Sequence, residues 1–321
     1  MINILITGSA GFIGSKIVES LLKKNYFVIG IDNFLNLHLK KVYVKNLKIL
    51  KNYKNFSFYK INLLNQKKIG QIIEQNQPNF IIHCAAKTNV RESEKNPTEY
   101  LKNNVLGTQI LLEAVKKYSP KSKIILLSSS SVYGEQKKFP LKEKNILNPI
   151  SPYGLSKYFM EQLAKFYSRY FYLKIIIIRP SSVYGPRGRP DMAPSLLIKA
   201  AIKGIPFIKY GNSNNNRRDW VYIEDFIAGI IQIIENNFFP SFDIFNFGTG
   251  ETVGIDEFIL IAKDLIKKYL NKDVEIIKKT KKNLEVNNNH LSIKKAKKIL
   301  RYNPKIGFKE GFKKILEDYK H

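Results

Sequence analysis

The sequence predicts an α/β protein: a doubly wound parallel sheet followed by a smaller C-terminal region. Three observations carry that prediction. Short apolar runs alternate with amphipathic stretches through the first half of the chain. A glycine-rich turn, GSAGFIG at 8–14, joins the first apolar run to the first amphipathic stretch. After Arg179 the texture changes, with proline or glycine at 180, 185, 186, 188, 190 and 194.

The elements follow in order. Strands are expected at Asn3–Thr7, Phe27–Ile31, Phe56–Lys60, Phe80–His83, Lys123–Ser128 and Lys174–Ile178. They are nearly all apolar, as strands are when helices cover both faces of a parallel sheet. Helices are expected at Phe12–Lys23, Lys67–Gln75, Pro97–Tyr118 and Tyr153–Tyr170. In the first, Ile13, Ile17, Val18, Leu21 and Leu22 share one face. Residues 1–178 read as one domain and 179–321 as a second, smaller region. That region holds helices near 193–203 and 224–236, and DIFNF at 243–247 reads as a strand returning to the sheet.

Composition narrows the class. The chain has 321 residues, 44% of them apolar, enough for a large core. A single cysteine, Cys84, rules out a disulfide framework within the chain. The opening MINILITGSAGFIG has no basic leader or cleavage site, and the apolar run IIII at 175–178 is far too short to span a membrane. These features point to a soluble cytoplasmic protein with no membrane partner. The net charge of +28 comes almost entirely from lysine spread along the chain. It reads as a solvated surface that attracts anions rather than as a nucleic-acid site.

Two constellations carry chemistry. In GSAGFIG, Gly8, Gly11 and Gly14 permit a tight turn, close backbone approach and close helix packing, while Phe12 and Ile13 open the helix. The free N–H groups of that helix start suit a pyrophosphate. Asp32, followed by Asn33, ends the second strand, where a carboxylate accepts bonds from ribose hydroxyls and repels a 2′-phosphate. A Rossmann-type domain using NAD rather than NADP follows, with Lys40 and Lys41 as the features that tell against it. In the second constellation, SSSSVYG at 128–134 precedes SPYGLSKY at 151–158. Tyr153 and Lys157 are four residues apart, so a helix puts both on one face. An ammonium beside a phenol favours the phenolate, a base that can take the proton of an alcohol as its hydride leaves.

GSAGFIG, Asp32, HCAAKTNV, NNVLGT, SSSSVYG, YGLSK and RRDWVYIEDF, in that order, resemble the extended short-chain dehydrogenase/reductases. More narrowly they look like the nucleotide-sugar epimerases. The resemblance implies a tightly held NAD, a UDP- or dTDP-sugar in the C-terminal region and a homodimer built from a four-helix bundle. It makes Tyr153 the base, Lys157 its partner and Ser129 the hydroxyl that bonds the reacting sugar. It places Asn62 and Leu63 beside the adenine, Ala85, Ala86 and Lys87 along the pyrophosphate and nicotinamide ribose, and Asn104 behind them. Arg218 falls where the family's arginine meets the diphosphate, and Lys282 and Glu285 align loosely with an Arg…Asp pair around the uridine ribose.

The family's dehydratases carry an Asp–Glu pair where this chain has Ser130 and Ser131, so elimination is not expected. What remains is oxidation at C4, rotation of the 4-keto sugar and return of hydride to the other face. VYGPRGRPDMA resembles the segment of UDP-glucuronate 4-epimerases in which the second arginine, Arg189 here, faces the sugar carboxylate. The chain has only eight arginines, and a forked guanidinium suits a planar anion. Ser182, Ser130 and Ser131 supply further hydroxyls to that group, and Arg91 is a further candidate for the same cleft. Alternatives stay open: Arg187 or Arg189 on the diphosphate, an Arg–Asp191 ion pair, or a neutral substrate such as UDP-N-acetylglucosamine or UDP-glucose. A dTDP-sugar enzyme and a non-catalytic NAD-binding module are more distant readings. Pro180 stands where glucuronate enzymes carry an aromatic residue.

Overall fold

The computed structural model describes residues 2–35, 40–210, 216–236, 239–280 and 286–319. Seven strands form one sheet: β1 (Asn3–Thr7), β2 (Phe27–Asp32), β3 (Phe56–Lys60), β4 (Phe80–His83), β5 (Lys123–Leu127), β6 (Lys174–Pro180) and a late strand, Phe242–Phe247. Every pairing in it is parallel, and the order from the late strand is β6, β5, β4, β1, β2, β3. The expected strand at 243–247 does return to the sheet, with Phe245 opposite Ile178. Chain order reverses between β1 and β4, which opens a crevice at the carboxyl ends of those strands.

Period-two alternation divides the strand residues between two apolar layers. Ile4, Ile6, Val28, Ile82 and Ile176 face one layer with α1 (Phe12–Lys23). Leu5, Ile29, Ile81, Ile124 and Ile177 face the other, against Ile69, Ile72, Leu111 and Met160. Those four come from α3 (Gln66–Asn76), α6 (Gly107–Tyr118) and α7 (Pro152–Phe171). Each such buried side chain contributes roughly 1.5–3 kcal/mol.

Three helical features depart from the sequence pattern. α2 (Lys40–Leu50) is lysine-rich and buries only Tyr43, Asn46 and Leu50, too weak a stripe to read. α4 (Val90–Lys95) is a short helix capped by Asn89, which accepts from the Glu92 amide at 3.0 Å. The single helix expected over 97–118 is split into α5 (Pro97–Tyr100), a π-helical turn (Leu101–Leu106) and α6. The wider turn places Asn104 fully inside, where its amide has partners.

The C-terminal elements lie over the carboxyl end of the sheet. Short strands β7 (Ser182–Tyr184) and β10 (Trp220–Tyr222) pair in parallel, as do β8 (Phe207–Tyr210) and the strand Ile276–Lys279; β9 (Arg217–Arg218) pairs antiparallel with Val253–Gly254. An aromatic cluster binds them, with Trp220 stacked on Phe258 at 5.5 Å and Tyr184 against Phe308 at 5.4 Å. The 178/179 boundary drawn from the sequence falls inside β6. Among the described residues no helix is long and apolar enough to cross a membrane.

Candidate active site

A cleft of about 820 Å³ runs between the sheet's carboxyl ends and the C-terminal elements. At one end lies the glycine loop. Gly8 has φ +69°, and a Cβ there would sit 2.7 Å from the Ala85 amide. A Cβ on Gly14 would sit 2.1 Å from the Gly8 carbonyl. Gly11 caps α1 without a side chain, which leaves the helix N-terminus open to the cleft. Asp32 accepts the Ala10 amide at 3.0 Å and the Phe34 amide at 2.9 Å. Burial pushes its carboxyl upward against those bonds. The Asn33 and Gly11 amides also act on it, and the carboxylate lines the cleft. The loop is thus a backbone-lined cradle ending in a carboxylate, and it fits a dinucleotide with an unmodified ribose.

Phe12, Ile13, Asn33, Asn62, Leu63, Ala85, Ala86 and Lys87 all line the same cleft. Asn33 and Asn62 each accept an amide two residues on, at 3.0 Å, shaping the turns beneath the cradle. Asn104 is behind the wall rather than on it: its side chain accepts the Lys87 amide at 2.8 Å and donates to the Lys87 carbonyl at 3.0 Å and the Ser156 hydroxyl at 2.9 Å. A buried chain continues from the Asn104 carbonyl to Thr108 at 2.5 Å, His83 at 2.9 Å and Thr7 at 2.7 Å. Burial drives His83 down to about 3, so its ring is neutral.

At the centre of the cleft, β5 ends at Leu127, and Ser129 caps the turn Ser130–Tyr133 by accepting the Ser131 amide at 3.1 Å. Ser151 caps α7, accepting the Gly154 amide at 3.1 Å, which sets Tyr153 and Lys157 on the inward face. Tyr153 is hydrogen-bonded to Ser129, and Tyr100 packs edge-on to it at 6.3 Å. Lys157 donates to the Leu127 carbonyl at 2.8 Å. Burial raises the Tyr153 phenol and lowers Lys157 to about 8. The sequence assigns the pull on the phenol to Lys157. In the structure the downward pulls come from the Ser129 hydroxyl and the Arg189 guanidinium, and burial outweighs both.

The arginines separate clearly. Arg187, at φ +61°, ion-pairs with Glu19 on α1 and is not among the residues that line the cleft. Arg189 lines the cleft and grips Asp191 through Nε at 3.0 Å and one terminal nitrogen at 2.6 Å, while its other terminal nitrogen donates to Thr88. Asn89 holds Asp191 from behind at 2.7 Å. Three of five guanidinium N–H groups are committed, which leaves one on each terminal nitrogen. Arg218 lines the cleft and donates to the Val286 and Asn287 carbonyls at 2.6 and 2.7 Å. Arg91 also lines it, its guanidinium 4.6 Å from the Tyr210 ring centre. Ser130, Ser131, Pro180 and Ser182 are on the wall, and Ser182 accepts from Asn289 at 3.3 Å. Lys282 and Glu285 lie outside the described residues.

The sequence reading passed over Thr88, Asn89 and Asn289. The first two stand inside HCAAKTNV, next to residues already singled out; Asn289 stands in NNN, which reads as composition. Among the described lining residues the carboxylates are Asp32 and Asp191, both already bonded.

Comparison with known proteins identifies the family. Residues 5–315 match the family model described as GDP-mannose 4,6 dehydratase. A UDP-glucuronate 4-epimerase of Thermodesulfobacterium geofontis is 34% identical over 97% of this chain and 94% of its own. The chain belongs to the nucleotide-sugar epimerase family of the extended short-chain dehydrogenase/reductases. Among solved members, the Bacillus cereus UDP-glucuronic acid 4-epimerase, in complex with UDP-glucuronic acid and NAD, superposes with a TM-score of 0.91 at 32% identity, covering 99% of both chains. The Thermotoga maritima UDP-glucose 4-epimerase with UDP-glucose gives 0.88 at 31% identity, also over 99% of both. The family thus contains epimerases of acidic and of neutral sugars, and the fold does not separate them.

Proposed function

We propose that this protein is an NAD-dependent 4-epimerase that interconverts UDP-glucuronate and UDP-galacturonate. The observation that carries the sugar assignment is the Arg189 fork, which keeps two donors open in the cleft and whose charge acts on Tyr153. A carboxylate at C5 of the pyranose is the planar anion such a fork accepts. The acidic-sugar relatives support the reading.

The chain's own residues divide the work. The glycine cradle and Asp32 hold NAD, which supplies the oxidising and reducing chemistry when bound. Ser129 aligns the C4 hydroxyl, and Tyr153 takes its proton and later returns one. Lys157 supports the phenolate and contacts the nicotinamide ribose. Arg218 takes the diphosphate. Oxidised at C4, a glucuronate becomes a β-keto acid that loses CO₂ readily. Arg189, with Ser130, Ser131 and Ser182, holds the carboxylate near the plane of the ketone, which is poor geometry for carbon–carbon cleavage.

The α7 surface supports a homodimer. Leu155, Phe159, Phe166 and Tyr170 are 38–55% exposed there, a run of large apolar groups on one helix. Light scattering of the purified protein tests this, with a mass of twice 37.1 kDa expected.

Proton NMR of the protein with UDP-glucuronate, UDP-N-acetylglucosamine and UDP-glucose tests the function. A new galacto-configured anomeric signal from UDP-glucuronate alone is expected. Turnover of a neutral sugar alone overturns the carboxylate assignment and leaves the epimerase mechanism standing.

A further inference from the structure

Beneath Ser129, Tyr153 and Lys157 lies a buried ion pair that the mechanism above does not use. Arg179, at the end of β6, and Glu161, one turn beyond Lys157 on α7, have side chains only 2% exposed. They meet in a fork, Nε to Oε1 at 2.9 Å and a terminal nitrogen to Oε2 at 2.6 Å. Desolvating two charges costs about as much as their attraction returns, so stability alone is a weak reason for the pair. Its neighbours give a better one. Ser128 donates to Glu161 at 2.5 Å, and Ser128 directly precedes Ser129. Arg179 donates to the Tyr133 hydroxyl at 3.0 Å, and Tyr133 closes the turn that carries Ser130 and Ser131. Tyr133 in turn donates to Asn246 on the late strand at 2.7 Å. Helix α7 has no backbone ladder to the sheet, so side chains must set its position against β6 and the end of β5.

We infer that the Glu161–Arg179 pair is the positioning device of the catalytic centre, fixing the spacing between the strand end that carries Ser129 and the helix face that carries Tyr153 and Lys157. It rests on the epimerase reading for its kinetic consequences and on geometry alone for its structural ones. The charge of Glu161 has a second effect. Lys157 faces His83 and Cys84 from the β4 side, Tyr153 and Glu161 from its own helix, with Arg179 behind Glu161. His83 is neutral, and burial keeps the Cys84 thiol protonated, pushed up to about 12, and the Tyr153 phenol neutral. Cys84 and then Glu161 raise Lys157 against its burial, and of the two Glu161 is the one tied to Arg179.

The test uses the full-length protein loaded with NAD, in three variants. Ser128→Ala keeps the ion pair and cuts its link to the strand. Glu161→Gln removes one charge, and Glu161→Gln/Arg179→Gln removes both, so that no unpaired charge is buried. In Ser128→Ala, kcat for the UDP-sugar that the wild type epimerises is expected to fall about tenfold with KM within about threefold, the effect of losing one bond to a charged group. The alkaline limb of the kcat profile is expected to move to lower pH, most in Glu161→Gln and less in the double variant. Crystal structures read the proposal without turnover: Ser129 should shift from Tyr153 by about 0.5 Å or more. An unmoved Ser129–Tyr153 spacing in Ser128→Ala overturns the proposal, whatever the wild type's substrate proves to be. So does wild-type kcat in that variant, or an unshifted limb in whichever charge variant folds.

Discussion

Arg189 and Asp191, two residues apart in one loop, form a forked ion pair with the aspartate at its side edge, at 3.0 and 2.6 Å, while the other terminal nitrogen of the guanidinium, bonded to Thr88, lies in the cleft wall. On the proposed reading, Asp191 is a positioning residue for the sugar contact. In Asp191→Ala the fork loses its orientation, and KM for UDP-glucuronate should rise about tenfold while any turnover of UDP-glucose stays put. Equal losses on both sugars would assign Asp191 to the loop's fold instead.

On the same reading, Arg189→Ala removes the carboxylate contact itself. Epimerisation of UDP-glucuronate should drop about a hundredfold, the cost of a lost charged, forked contact. A 4-keto-pentose should appear as the unrestrained β-keto acid loses CO₂. Unchanged epimerisation with no 4-keto-pentose by mass spectrometry sinks the assignment.

Lys157 is lowered to about 8, so it is an ammonium below that pH and an amine above it. In the proposed mechanism, its charge beside Tyr153 is present at low pH and lost as pH rises through about 8. The kcat profile should carry an alkaline limb there. Lys157→Arg stays charged at all working pH values and should lack the limb, even if it turns over more slowly. Tyr153→Phe should lose roughly 10²–10⁴ in kcat while keeping bound NAD, read from the 260 nm absorbance of the purified protein.

His83 is neutral in the fold because burial lowers it to about 3, against about 6.5 when unfolded. The unfolded chain binds the extra proton between those values. Stability therefore rises with pH through that window and is lost as pH falls from about 6.5 towards 3. His83→Gln should flatten this part of the Tm-against-pH curve; an unchanged slope would place the acid sensitivity in other groups.

Gly14→Ala puts a methyl 2.1 Å from the Gly8 carbonyl. That oxygen is backbone and cannot swing away, so the cradle must open. NAD content after purification should fall at least tenfold with the far-UV spectrum preserved. Full NAD retention would show that the cradle is not the pyrophosphate site.

Much of this protein is determined by local signals in its sequence. Short, nearly all-apolar runs place β1 to β6 to within a residue or two, because strands covered on both faces admit few polar side chains. GSAGFIG announces its turn because only glycine tolerates both φ +69° at residue 8 and the contact at residue 14. Tyr153 and Lys157 are legible because helical spacing alone puts them together. What tertiary structure decided lies where partners come from far along the chain. The π-turn at Leu101–Leu106 exists to serve contacts of Asn104 with Lys87 and Ser156, which no local pattern records. Arg187 and Arg189 look alike in GPRGRP. One is captured by Glu19, 168 residues away, and the other is left facing the cleft by Asp191. The sign of the Tyr153 shift was decided by burial in the folded cleft, because a helix can set the Tyr–Lys spacing but not how much water surrounds the phenol.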